Sequence, residues 1–395
     1  MSFPQFMNLV PKLQEQVARN CDAHDLLALA QSCSSLHGLA IHALYYDVDI
    51  SVHNLPGLFP STRATVALIS ENPYAHLGNR RQTCHKRQDM FVEALKLHPE
   101  LGKRVVRLTW TYFDPTSLYG KPCTSVKYLD FASSAWLPEL IPPPPLFLGA
   151  KHIRLIGEMS YAFVRAALLS SNPENWISLD VENLQDYGQF HDNDIYNMGD
   201  LSLIPEVDDD QGNPIVRHPG PMRGHLRRLE GRCGNLRRLI LRSVGQDEED
   251  NARWSPSIDE ARYQEWASFI LSTCLTLQCL TIEQGLEPTA TNIADCRGRW
   301  GPFQYGLPME DRFIDHLFPT LLSASFPKLK ELHVYGIGCP PNKDMNRWSK
   351  PKHPDIRGYV NEKLSVAFGS GVELEVSEHA TKSFHYRLEG GTYDS

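Results

Sequence analysis

Seven times after residue 100, an apolar residue is followed three positions later by a second and two further on by a third. The copies are Val105/Leu108/Trp110, Val126/Leu129/Phe131, a looser Ala150/Ile153/Leu155, Trp176/Leu179/Val181, Leu236/Leu239/Leu241, Leu277/Leu280/Ile282 and Leu329/Leu332/Val334. Val372/Leu374/Val376 closes the series with plain alternation. Alternation of period two is the mark of a strand with one face in a core. The central positions Leu108, Leu129, Ile153 and Leu179 lie 21, 24 and 26 residues apart, inside the ~20–29 residues of leucine-rich repeats. Later spacings of 60, 41 and 52 residues predict loops inserted between strands. No Asn or Cys follows at the usual ladder position, so residues 101–395 read as a divergent, irregular leucine-rich-repeat-like array, which makes the fold class α+β or an α/β solenoid. Helices are predicted between strands at 161–170, with Phe163, Ala166, Ala167 and Leu168, and at 258–274, with Tyr263, Trp266, Ile270 and Leu271.

Ahead of the array the period is helical. Leu9, Leu13, Val17 and Cys21 recur every four residues and predict a first helix with one apolar stripe. Asp22 and Asp25 offer an N-cap and a first-turn carboxylate for a second helix, whose apolar face is Leu26, Leu29, Ala30 and Cys33. Ser34 or Ser35 can cap a third, with Leu36, Leu39, Ala40, Ala43 and Leu44 facing inward. Beyond Tyr45 the period turns to two, with Val48 and Ile50 opposite Asp47 and Asp49. Residues 1–50 thus form a helical unit near the lower size limit for independent folding, with more apolar surface than its own core needs. Residues 51–100 read as a helical connector, with Met90, Phe91, Ala94 and Leu95 on one face and Arg80, Arg81, Lys86 and Arg87 as a solvated basic run.

The segment from Val10 to Ile50 resembles an F-box. Val10-Pro11 stands where that family opens with Leu-Pro. Leu13, Val17 and Cys21 match its hydrophobic positions, Asp25-Leu26-Leu27 its Asp-Leu-Leu step, Ser32-Cys33 its Ser-Cys pair and Leu44-Tyr45 its closing Leu-Tyr. The family's Glu after Pro and its tryptophan near position 37 are missing, and one residue is deleted between Pro11 and Leu13. The run from His98 to Trp110 resembles the start of the C-terminal region in many filamentous-fungal F-box proteins. The resemblance implies docking on a Skp-family adaptor through Val10, Pro11, Leu13, Val17, Asp25, Leu26, Leu27, Ser32 and Cys33. It further implies a place in a cullin–RING (SCF-type) ubiquitin ligase, with the repeat region recognising the substrate. The alternative is a scaffold that binds the adaptor without promoting target degradation.

Composition narrows the partners. With 395 residues, a formal net charge of −8, 42% hydrophobic and 22% charged residues, the chain reads as globular and not as a nucleic-acid binder. No apolar run reaches the ~18 residues of a membrane span. The start lacks a basic signal-peptide region, and no Asn-X-Ser/Thr sequon occurs. Nine cysteines without a Cys-x-x-Cys pair predict free thiols in a reducing cytoplasm or nucleus. No P-loop, Gly-x-Gly-x-x-Gly, Gly-x-Ser-x-Gly or His-Glu-x-x-His is present, so neither enzyme activity, cofactor nor metal is expected. Cys84-His85 and the Cys274/Cys279 pair lack the partners needed for tetrahedral zinc.

One charged stretch rises above this background: eight arginines and a single acid, Glu230, between Arg217 and Arg242, followed by acids at 247–250. Guanidinium forks suit an acidic or phosphorylated protein target; internal pairing with those acids and with the Asp-rich stretch 185–225 is the competing reading. If the apolar strand positions face inward, the intervening residues line the opposite face. Arg107, Tyr128, Asp180, Arg238, Arg242, Glu283, His333 and Tyr335 are therefore the candidate target-binding residues. Residues 185–225 and 285–310 read as long excursions, and Pro142 to Pro145 as a polyproline connector.

Overall fold

A computed structural model describes residues 6, 8–51, 73–112, 125–134, 147–159, 161–186, 220–222, 224–243, 256–284, 311–337, 353 and 355–377. Its frame is one sheet. In chain order the strands are β1 (Asp47–Ile50), β2 (Arg107–Tyr112), β3 (Tyr128–Ser134), β4 (His152–Glu158), β5 (Ser178–Asp186), β6 (Gly220–Pro221), β7 (Arg238–Ser243), β8 (Cys279–Gln284), β9 (Glu331–Tyr335) and β10 (Glu373–Ser377). All but β6 are parallel and stand in the sheet in the order of the sequence. The short β6 pairs antiparallel with the end of β5.

The apolar pattern fixes the register. Val48, Leu108, Leu129, Ile153, Leu179, Leu239, Leu280, Leu332 and Leu374 lie opposite one another across the strands. Two residues on, Ile50, Trp110, Phe131, Leu155, Val181, Leu241, Ile282, Val334 and Val376 form a second column. The first position of each copy sits in the turn before its strand and is buried as well, from Val105 and Val126 to Leu277 and Leu329. In that turn one carbonyl accepts two successive N–H groups of the next rung. Tyr46 takes Val106 and Arg107, Val106 takes Lys127 and Tyr128, and Gln278 takes Lys330 and Glu331. The repeat is thus written in the backbone as well as in the side chains.

Helices cover the inner face: α4 (Pro73–Leu97), the short α5 (Pro99–Gly102), α6 (Tyr161–Ser170), α7 (Pro256–Thr273), α8 (Asp311–His316), α9 (Phe318–Ser323) and α10 (Ile356–Phe368). They follow α1 (Pro11–Arg19), α2 (Ala23–Ser32) and α3 (Ser34–Leu44) of the N-terminal unit. Phe91 and Leu95 of α4, Val164 and Leu168 of α6, Trp266 and Ile270 of α7, Phe313 of α8 and Val360 of α10 join the strand residues in one continuous core. Trp176, fully buried, keeps its indole N–H bonded to Ser171 Oγ at 3.1 Å, so this donor is not left dry. The architecture is α/β, with helices on one side of a parallel sheet.

Several expectations are revised. Met90 and Leu271 point to solvent, not into the core. Arg87 donates to the Asp49 carbonyl at 2.8 Å, and Gln88 bonds the carbonyls of Ile50 and Thr111. The expected connector therefore packs on the sheet, and β1, read as the end of the N-terminal unit, is the first rung of the sheet. Gln185 and Asp186, placed in the expected excursion at 185–225, belong to β5, and Pro221 and Gly220 pair with them as β6. Most of that excursion, together with 285–310, Pro142 to Pro145 and the acids at 247–250, lies outside the described residues.

Candidate functional site

The three N-terminal helices have a small core of their own, made of Ala18, Leu26, Ala40 and Ala43. Asp22 caps α2 by accepting the Asp25 N–H at 2.8 Å. The third helix is not capped by Ser34 or Ser35 as expected. Cys33 is its N-cap, without a side-chain cap bond, and the Cys33 Sγ–Ser35 Oγ distance is 2.8 Å. Ala18 of α1 faces the core and Cys21 packs against it, while Leu13 and Val17 of the apolar stripe are 45% and 38% exposed. Val10, at 60%, extends the stripe, and Leu27 on α2 is 47% exposed. Of the nine residues expected to contact an adaptor, these four present apolar side chains to solvent. Pro11, Asp25 and Ser32 are exposed, Cys33 is half-buried, and Leu26 at 5% is a core residue. It holds the unit together and is not available for contact.

The second surface is the outer face of the sheet. Parallel sheets are normally covered on both faces; here the outer positions are largely polar. Exposure falls along the strands. The first row, Arg107, Tyr128 and Arg238, is exposed, whereas Glu182 and Glu283 near the strand ends are fully buried. Over β1 to β7 the first two rows line a groove of about 710 Å³, whose walls include Asp47, Arg107, Tyr128, His152, Arg154 and Arg238. Arg107 lies over the Tyr128 ring at 4.7 Å, and Tyr128 stacks on His152 at 4.3 Å. Ser178 Oγ is 2.9 Å from His152 Nδ1. Burial, then the charges of Arg107 and Lys151, lower the His152 pKa.

Behind the groove two arginines bind four acids. Arg154 faces Asp130 at 3.5 Å and Asp180 at 3.3 Å, and donates to Glu182. Arg242 donates to Glu182 and to Glu283, each at 2.7 Å, and faces Asp180 at 3.6 Å. Burial, then Asp180, push the Glu182 carboxyl up to about 8 against the pull of both arginines. Burial alone would lower the Arg242 pKa, but Asp180, Glu182 and Glu283 raise it. Arg242 and Glu283 are therefore bound within the sheet and do not face a partner, which corrects their assignment to the contact surface. Asp180 reaches the groove wall. His333 and Tyr335 lie further along the face, where Tyr335 Oη donates to Glu375 at 2.6 Å. The β4 rung supplies His152 and Arg154, which the expected set lacks. The looser copy around Ile153 carried the signal, since its flanking residues occupy the same outward positions.

The described residues form an α/β fold with exposed apolar side chains on the N-terminal helices and a polar outer face on the sheet. Compared with known proteins, the chain matches no family model and no curated protein.

Proposed function

We propose that the chain is the substrate-recognition subunit of an SCF-type ubiquitin ligase. In this reading α1–α3 dock on a Skp-family adaptor, and the outer face of a leucine-rich-repeat-like solenoid holds a protein target. The observation that carries it is the outward-facing apolar side chains of α1 and its N-cap. Val10, Leu13 and Val17 stand at helical spacing in solvent on a unit whose core is already filled. Fully burying one such side chain is worth roughly 1.5–3 kcal/mol, so these three together with Leu27 on α2 offer an apolar patch for a dock. Parallel strands in chain order, with β2 to β5 and β7 to β9 entered through the same double-acceptor turn, support the solenoid. The protein performs no chemistry in this role; it raises the effective concentration of target lysines near the conjugating enzyme.

The test uses exposed positions. Leu13→Asp combined with Leu27→Asp is expected to abolish co-purification of a Skp-family adaptor while circular dichroism and the denaturation midpoint of the sheet stay unchanged. Adaptor binding that survives this pair sinks the docking proposal. Target half-life with and without the protein then separates turnover from a scaffold role, because a scaffold leaves it unchanged.

A further inference from the structure

At the far end of the outer face, three side chains of different chemistry converge. Cys279 on β8 stands directly opposite Glu331 on β9, and His333 is two residues further along β9 on the same face. One donor atom from each lies within 4.8 Å of the other two. The sheet register enforces this, since directly opposed residues in adjacent strands hold their side chains close together. Glu331 Oε2 is 3.8 Å from His333 Nε2. Donors bound tetrahedrally to one zinc-sized ion at ~2.0–2.3 Å stand roughly 3.3–3.8 Å apart, so little movement is needed.

A second feature separates this cluster from a chance meeting of polar groups. The other ring nitrogen of His333, Nδ1, faces Glu375 Oε2 at 3.3 Å, and Tyr335 Oη anchors the same oxygen at 2.6 Å. Histidines that ligate metals commonly donate their second N–H to a carboxylate, which fixes the tautomer and leaves Nε2 as the lone-pair donor. Here β10 supplies that carboxylate, opposite His333 in register.

We propose that Cys279, Glu331 and His333 bind a zinc-class divalent cation, with Glu375 orienting the His333 ring. The donors match the ion in charge: one thiolate and one carboxylate neutralise a dication, and the imidazole stays neutral. Sulfur, nitrogen and oxygen together favour zinc over calcium or magnesium, which take oxygen. Half-exposed Glu331 leaves a fourth position open on the solvent side for water or an incoming group. Binding breaks the Cys279 S–H bond, forms a sulfur–metal bond and releases the proton to solvent.

The proposal is tested on the full chain with Zn²⁺ in a chelator-competition titration and with Co²⁺ as a spectroscopic probe. The expected result is one tight equivalent, with a thiolate-to-cobalt charge-transfer band that Cys279→Ser removes and Cys274→Ser leaves in place. Glu375→Gln, which touches no metal, is expected to weaken affinity about 10–100-fold. Absence of a tight equivalent, or a band that survives Cys279→Ser, overturns the assignment. Should Cys279→Ser fail to fold, His333→Gln decides by the same titration: an affinity loss of at least about tenfold upholds the site, and unchanged affinity rejects it. Adaptor docking is independent of either outcome.

Discussion

Two guanidinium groups set the electrostatics of the outer face. Arg242 is flanked by Asp180, Glu182 and Glu283, two of which are fully buried. Removing one partner from such a network strands the others without compensation, which costs roughly 3–5 kcal/mol; Arg242→Met is expected to lose stability of that order in urea denaturation. Glu182 makes the network sensitive to pH. Its carboxyl, raised in the folded chain from 4.5 to about 8, keeps a proton that the unfolded chain releases. Its contribution is complete below 4.5 and is lost as pH climbs through about 8. Urea midpoints measured across that window should fall with rising pH, and Glu182→Gln should flatten the decline. A midpoint that rises instead means the two arginines hold Glu182 ionised.

Among the elements, the junction of β8 with the end of β9 leaves least room. Gly336 has φ +78°, and a Cβ placed there would lie 1.5 Å from the Gln284 carbonyl oxygen. Gly369 has a similar φ of +60° but nothing within 4 Å of such a Cβ. Gly369→Ala should therefore cost only the backbone strain, roughly 1–3 kcal/mol, while Gly336→Ala should cost more, because β8 and β9 must part. Comparing their denaturation midpoints isolates the steric contribution; equal losses refute it. The strands and α6 were legible in the sequence because period two and period 3.6 report which residues face a core. The facing of α1 was not. Its stripe looks the same whether it points to its own core or to a missing partner, and only the packing of Ala18 settles the direction. The ion network escaped for another reason: Arg154 and Glu182 are 28 residues apart and Arg242 and Glu182 are 60 apart, distances that only the register of the sheet closes.

The described residues form two cores of unequal size. The large one runs from Val48 on β1 to the helices packed beneath β10, and the small one holds four buried residues in α1–α3. Opening free energy follows buried apolar contact. Amide hydrogen exchange should therefore be fastest in α1–α3 and slowest in β3 to β8, with β1 behaving as sheet and not as part of the helical unit. Uniform protection across α3 and β5 is the result that contradicts this. Among the described residues no helix is long and apolar enough to cross a membrane, and Cys21, Cys33, Cys84, Cys233, Cys274 and Cys279 are free thiols.

The strict order of the strands bears on how the protein is made. Every parallel strand after β1 finds a partner already synthesised, and the carbonyls awaiting it in the preceding turn need nothing downstream. A nascent chain can thus add rungs as they leave the ribosome, each completed layer templating the next. The edge left open during synthesis is the one the following strand will use, whatever the sequence spacing between rungs.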